Sequence, residues 1–499
     1  MPDSAAEPQS FRPSRRADFS YWLALLMAAQ LLVWTVVPWL FARSLPLDVV
    51  SDGLAWGHEW QWGYYKHPPL PSWTVEAFFD AFGDIGPFLL SQLSIAATYI
   101  FVFALGREMM GARRAAVGTL LLVGVYYFSI PTPEFNHNVA QMPLWAAACL
   151  CYYRAWKTGE MRWWLGLGTV AGLGLLTKYS TAVLLFVMLA HFVTVRGARQ
   201  ALLSAGAWLA AGICLLIISM HVLWLFNNGF PTLHYAAARA GATSAVRDRV
   251  IVPLKFLAAQ GVDIGPAFLL AWISGLRPTK TAVEADGKLN FLLWMTLGPP
   301  TVTVLGSLLI GMGVRDMWGA PMWNLTGLAI VLGAAGSWKR VKLRWLGAGA
   351  VVLFCIGVAG FVLANVLVPE RENRPSRIQW PDRALAETFE TVWRQQIHRP
   401  LRIVAADGWL GGLVAMRSLP RPSVWIDADY HKAPWITTDL VMLDGALVLW
   451  RIQPGRTEPK GVTALKGLRI IGQKTFVWPD APKAIPLEIG YAILPPARR

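Results

Sequence analysis

Residues 21–42 read YWLALLMAAQLLVWTVVPWLFA, a run without a single charged side chain, and its reading decides the fold. A bilayer's hydrocarbon core of roughly 30 Å needs about 20 apolar residues of helix to cross it. The run is too long for a signal-peptide core, and no small-residue cleavage pattern follows it. It is expected to remain as a membrane anchor, preceded by a polar segment, residues 1–20, that carries Arg12, Arg15 and Arg16.

Composition points the same way. Hydrophobic residues make up 55% of the 499 and charged residues 15%, against roughly 25% charged in soluble globular chains, which excludes a soluble enzyme and a disordered chain. Lys and Arg outnumber Asp and Glu by 45 to 30. In so apolar a chain that excess points to anionic lipid and not to nucleic acid. The 26 tryptophans agree, because indole rings collect where bilayer meets water. Cys149, Cys151, Cys214 and Cys355 lie in apolar runs without paired spacing, so they read as packing residues and not as a disulfide framework or zinc site.

Scanning onward for further runs predicts a polytopic α-helical membrane protein with about eleven transmembrane helices within residues 21–368. They fall near 21–42, 86–106, 114–130, 138–156, 163–176, 178–195, 201–225, 257–275, 290–312, 318–336 and 345–367. Residues 163–195 form one run interrupted at Thr177-Lys178, expected as a broken or re-entrant pair. Lys and Arg gather at alternate connections, from Arg12 through Arg107, Arg113, Lys157, Arg196, Arg277, Lys280 and Lys288 to Arg344, which marks that side as cytoplasmic. The other side receives the long first loop, residues 43–85, and after an odd number of spans the tail, residues 369–499. The tail is more charged, its apolar runs shorten, and turn signals such as Pro420-Arg421-Pro422 appear. A helix over 384–398 and strands at 401–405, 447–452 and 475–477 predict a small α/β extracytoplasmic domain, joined by a linker at 371–381.

The spans are nearly free of ionisable residues, and polarity concentrates in the outer loops. Asp48 follows the first span directly. Leu54, Trp56, Trp60 and Trp62, then Trp73, Val75, Phe78 and Phe79, suggest amphipathic helices lying on the membrane. A carboxylate so placed can meet a lipid headgroup; the same position also suits a solvated helix-end acid.

The block from Asp48 to Leu70, ending Gly63-Tyr64-Tyr65-Lys66-His67-Pro68-Pro69-Leu70-Pro71-Ser72-Trp73, resembles the first extracytoplasmic loop of the C-type membrane glycosyltransferases. That superfamily transfers sugars from polyprenyl phosphate and includes protein mannosyltransferases and the lipid A aminoarabinose and galacturonic acid transferases. Further matches are Phe135-Asn136-His137-Asn138, Gly174-Leu175-Leu176-Thr177-Lys178-Tyr179, Trp224 with Gly229-Phe230-Pro231-Thr232, and Trp318 with Pro321-Met322-Trp323. The resemblance implies the C-type fold, with an acid at the start of the first outer loop as base on the acceptor. Asp48 matches it by spacing and Asp52 is the alternative, since the family's Asp-Glu pair reads Asp48-Val49 here. The family's second acid is replaced by Asn138, leaving Glu134 as the nearest carboxylate. No cofactor is required, and a divalent metal, though compatible with the family, has no ligand cluster in this sequence.

The implied chemistry is demanding in a definite way. A sugar leaving polyprenyl phosphate needs cations for the departing anion and a carboxylate to deprotonate an acceptor hydroxyl. Lys66, His67 and Lys178 are the cations on the outer side, and Tyr64 and Tyr65 flank them. Arg239, Arg247, Arg249 and Arg315 are candidates for anionic donor or acceptor groups, while His221 and His234 read as structural. In the tail, Asp407-Gly408-Trp409, Trp425, Asp427, Asp429, Tyr430 and Trp435 suit either a sugar-binding surface or ordinary turns. The expectation is an inner-membrane glycosyltransferase with a periplasmic active site, moving a monosaccharide from a polyprenyl-phosphate donor to a lipid, glycan or protein acceptor in the cell envelope with inversion. The alternative is a flippase for the same lipid-linked sugar.

Overall fold

The computed structural model describes residues 19–240, 246–279, 287–452, 465, 467–468 and 470–497. Arg12, Arg15, Arg16 and Lys280 lie outside them. Among the described residues, six helices are long and apolar enough to cross a membrane: Tyr21–Phe41, Leu70–Met110, Ala205–Asn227, Arg247–Ile273, Lys288–Ile310 and Leu343–Glu372. The pair Thr181–Thr194 and Arg196–Leu202, bent by 113°, makes a seventh if counted as one span. The chain is thus a polytopic helical membrane protein. The apolar stretches near 114–130 and 318–336 fold differently from a plain span. One becomes the short helix Ala112–Leu120 followed by 3-10 turns, the other a 3-10 stretch, Asp316–Trp323, before the short helix Thr326–Gly333.

Between these lie His137–Thr158 and Met161–Thr177, packed in the interior. Gly159 ends the first of them at φ 68°, a left-handed conformation that glycine adopts without a Cβ clash. Lys178 interrupts the following pair of helices, as its position in the run predicted.

The tail forms a mixed five-stranded sheet, ordered β2-β1-β3-β5-β4, from β1 (Ile403–Ala406), β2 (Ser423–Ile426), β3 (Ala446–Arg451), β4 (Ile470–Phe476) and β5 (Leu487–Leu494). β1 runs parallel to β2 and β3, and β5 lies antiparallel between β3 and β4. The helix Asp382–Ile397 packs on the helix Gly408–Arg417, burying Leu385, Phe389 and Trp393 along one face.

The first loop is clamped beneath this tail. Val49–Leu54 is a π-helical turn with every residue buried, and Trp56 is 1% exposed. Ala55, Trp56 and Tyr64 share a core with Ala415, Val424 and Ile426 of the tail. This corrects the expectation that Leu54 and Trp56 lie on the membrane surface, since the tail covers them. Trp60 and Trp62 remain exposed, and the helix Leu70–Phe82 forms where the apolar stripe predicted it. Gly412 lets the two parts meet: a Cβ there would stand 2.7 Å from Val50 Cγ1. Polar clamps finish the seam. Arg417 donates to Asp84 at 2.6 Å and to Asp382 at 2.8 Å, and Arg421 to Glu76 at 2.6 Å and the Leu54 carbonyl at 2.8 Å.

Candidate active site

The loop that carries Asp48 is fixed before any ligand arrives. The Asp48 backbone N–H donates to Glu134 Oε1 at 2.9 Å. Asn136 caps the helix His137–Thr158, its Oδ1 accepting from the Asn138 and Val139 N–H groups at 2.9 and 3.2 Å. Its side chain also hydrogen-bonds the Asp48 carboxyl group. Burial, reinforced by the nearby Glu134 and Asp52 charges, pushes Asp48 up to about 7, and burial raises Glu134 as well.

Asp52 meets a different fate four residues on. Lys66 Nζ donates to its Oδ1 at 2.9 Å and Ser51 Oγ at 3.2 Å, while its carbonyl accepts from Ser72 Oγ at 2.6 Å. Lys66 stands 5.5 and 5.4 Å from the ring centroids of Trp56 and Tyr65. Burial works to lower its pKa, but Asp52 and Tyr65 outweigh that and raise it, so the ammonium is retained.

Lys178, in the break between two helices, donates to Asn138 Oδ1 at 2.5 Å. Burial lowers it to about 8 against the opposing pull of Asp48. Gln141 holds the break open by donating to the Lys178 carbonyl at 3.1 Å and to Thr181 Oγ1 at 2.9 Å. His67 stacks on His137 with ring centroids 4.0 Å apart. Burial, then His137, Lys178, Lys66 and Arg239, lower its pKa well below the ordinary histidine value, leaving a neutral imidazole where the sequence suggested a cation.

These groups face one cavity of about 950 Å³. Asp48, Asp52, Tyr65, Lys66, His67, Asn138, Lys178, Arg239 and Arg315 all line it. Tyr64 sits behind the wall, stacked on Trp56 at 5.1 Å, and Glu134 supports Asp48 from outside the lining. Arg247 and Arg249 are not in the wall, and His221 is structural, bridging Tyr179 Oη at 2.7 Å and the Trp62 carbonyl at 2.7 Å. Val302, Met312, Met317, Trp318 and Met322 add apolar lining to the same cavity. The tail completes the wall with Asp407, Gly408, Trp409, Ile426 and Asp427. Of the tail residues singled out in the sequence, Asp407, Gly408, Trp409 and Asp427 therefore reach the cavity. Ile426 was missed, because nothing in a short strand announces which end meets a site. Among the described residues, no group of three His, Cys, Asp or Glu side chains is gathered as a metal site.

A half-buried carboxylate pushed up to about 7, two lysines in the same cavity wall and apolar lining residues inside a helical membrane fold fit a membrane-embedded transferase of lipid-linked sugars. The chain is similar to the C-type polyprenyl-phosphate-sugar glycosyltransferases in sequence, and to a solved member in fold. Residues 66–224 match the family described as dolichyl-phosphate-mannose-protein mannosyltransferase. The lipopolysaccharide core galacturonosyltransferase RgtB of Rhizobium johnstonii is 24% identical, over 89% of this chain and 90% of the relative. RgtA of the same organism is also 24% identical, over 95% and 97%. Among solved structures, ArnT from Cupriavidus metallidurans bound to undecaprenyl phosphate superposes with a TM-score of 0.59 at 14% identity, covering 95% of this chain and 98% of that one.

Proposed function

We propose that the protein moves a monosaccharide from a polyprenyl-phosphate donor to an acceptor hydroxyl at the outer face of the bacterial inner membrane, by a single inverting displacement with Asp48 as base. The observation that carries this reading is the position of Asp48 in the wall that also holds Lys66 and Lys178. Asp52 is already bound to Lys66 at 2.9 Å, whereas Asp48 joins no ion pair among the described residues and burial pushes it up to about 7, which suits a general base.

In the reaction the acceptor O–H gives its proton to the Asp48 carboxylate as its oxygen attacks the anomeric carbon. The bond from that carbon to the phosphate oxygen breaks, and the polyprenyl phosphate departs with the electron pair. Lys66 and Lys178 receive the new charge. The apolar lining, with Trp318 5.8 Å from the Lys178 ammonium, suits the first isoprene units. Arg239 and Arg315 in the same wall would favour a sugar carrying a carboxylate, as the names of the two curated relatives suggest for theirs, and a lipopolysaccharide core is then the leading acceptor. We infer about eleven crossings, with the N-terminus cytoplasmic and the tail in the periplasm, from the alternation of basic connections.

The test is product mass after incubating protein-containing membranes with polyprenyl-phosphate sugars and a lipopolysaccharide core fragment. Transfer by the wild type and by Asp52→Asn at reduced rate, with none by Asp48→Asn, is expected. Donor lipid relocated but chemically unchanged would replace the transferase with a flippase, and full transfer by Asp48→Asn would remove the base assignment.

A further inference from the structure

A second cavity, of about 550 Å³, opens beside the first and shares Leu47, Asp407 and Trp409 with it. Leu47 directly precedes Asp48. The wall shared by the two spaces is therefore adjacent in sequence to the candidate base. Its remaining polar wall comes from the linker and the tail, as Arg374, Arg377 and Arg451.

The floor is aromatic. Trp409 and Trp478 meet Trp380 edge-on with ring centroids 5.6 and 5.8 Å apart, and the Arg451 guanidinium stands 5.7 Å from the Trp380 ring. Trp478 is fixed by donating to the Ile485 carbonyl at 2.9 Å. Asp407 is committed elsewhere: its Oδ1 caps the helix Gly408–Arg417 by accepting from the Trp409 and Leu410 N–H groups at 2.9 and 3.0 Å. The arginines are not so committed. Arg374 reaches Glu372 at 3.6 Å, both side chains being largely exposed, and among the described residues neither Arg377 nor Arg451 takes part in an ion pair.

Guanidinium forks recognise carboxylate and phosphate through paired hydrogen bonds, and an indole face offers a flat apolar surface to a ring laid upon it. We propose that this cavity is an acceptor subsite for an anionic saccharide. Its phosphate or carboxylate group rests on Arg377 and Arg451, its ring lies on the tryptophan floor, and its free hydroxyl passes Leu47 to reach Asp48. The inference rests on the transferase reading and deepens it by naming the acceptor as an anionic glycan. Two anionic substrates are thereby kept apart: the donor phosphate at Lys66 and Lys178, the acceptor anion at the arginines.

The experiment reads binding without turnover, so it stands apart from whether transfer is observed. Tryptophan fluorescence of the full chain in lipid nanodiscs is titrated with a phosphorylated disaccharide, a uronic-acid disaccharide and their neutral parent. Saturable binding of at least one anionic sugar is expected, at least tenfold tighter than the parent, and the two anionic arms tell phosphate from carboxylate. Arg377→Gln and Arg451→Gln should each weaken that binding by about tenfold while leaving polyprenyl-phosphate affinity unchanged, and Arg451→Lys should recover part of the loss. Equal affinity for the neutral parent, or unchanged binding in both glutamine variants with wild-type thermal stability, would overturn the subsite. So would loss of saccharide binding in Lys66→Met alone, which would place the anion in the first cavity. If the wild type binds the sugar but transfers nothing to it, the transferase reading fails and the anion site remains.

Discussion

In the first cavity Lys66 is tied to Asp52 at 2.9 Å and Lys178 to Asn138 at 2.5 Å; in the second, Arg377 and Arg451 are exposed and join no ion pair among the described residues. The two spaces share Leu47, Asp407 and Trp409, so the contrast arises within a few residues of one wall. Half-buried, prepaired cations are held before the ligand arrives and can stabilise charge that appears during a reaction with little reorganisation. Exposed arginines can adapt to a group whose charge is already complete. The first arrangement suits chemistry and the second suits recognition.

The shared wall exists because the tail is clamped to the first loop, and the largest effect is expected on breaking that clamp. Arg417→Ala strands Asp382, whose side chain is 3% exposed, and should cost about 3–5 kcal/mol, read as a lower thermal unfolding midpoint and earlier proteolysis of the tail. Both cavities should fail together. An unchanged midpoint would mean that the docking rests on the apolar seam alone. Next in size, Lys178→Met should lower kcat by about 10²–10³ while saccharide binding at the second cavity is preserved. A rise in KM alone would make Lys178 a ground-state contact and blur the contrast. The smallest effect is that of salt. Raising ionic strength from 0.1 to 1 M shortens the screening length from about 10 to 3 Å, so saccharide binding should weaken severalfold and polyprenyl-phosphate binding much less. Equal sensitivity at both sites would erase the distinction between half-buried and exposed cations.

Much of the first cavity was legible in the sequence, for a physical reason. A lysine interrupting an apolar run is costly unless it has work to do or a partner, and Lys178 stood out so; Lys66 and Asn138 were marked by the family resemblance, and all three line the wall. His67 was legible as a site residue but not as a neutral one, because its charge depends on His137 and Lys178 brought beside it by folding. The burial of Trp56 was hidden for the same reason, since an indole under a docked domain and one at the bilayer surface look alike in sequence. The helix Gly408–Arg417 escaped notice through its own glycines, Gly411 and Gly412, which lower helix propensity while permitting the close approach to Val50. The stretches near 114–130 and 318–336 looked like spans because apolar content does not report the 3-10 turns that break them. Of the arginines of the second cavity, Arg374 and Arg377 come from the linker and Arg451 from the end of β3, with no spacing to relate them.

The most direct test of the account is the pH dependence of kcat/KM for transfer, wild type against Asp48→Asn. A base works only when deprotonated, and burial beside Glu134 raises Asp48 to about 7. The wild-type rate should therefore fall about tenfold per unit below that pH, and decline again above about 8 as the Lys178 ammonium loses its proton. Asp48→Asn should be slower by about 10²–10⁴ at neutral pH and should lack that acid limb. A wild-type rate that stays level down to the ordinary carboxylate range, or a variant that keeps both the rate and the limb, would contradict Asp48 as the base.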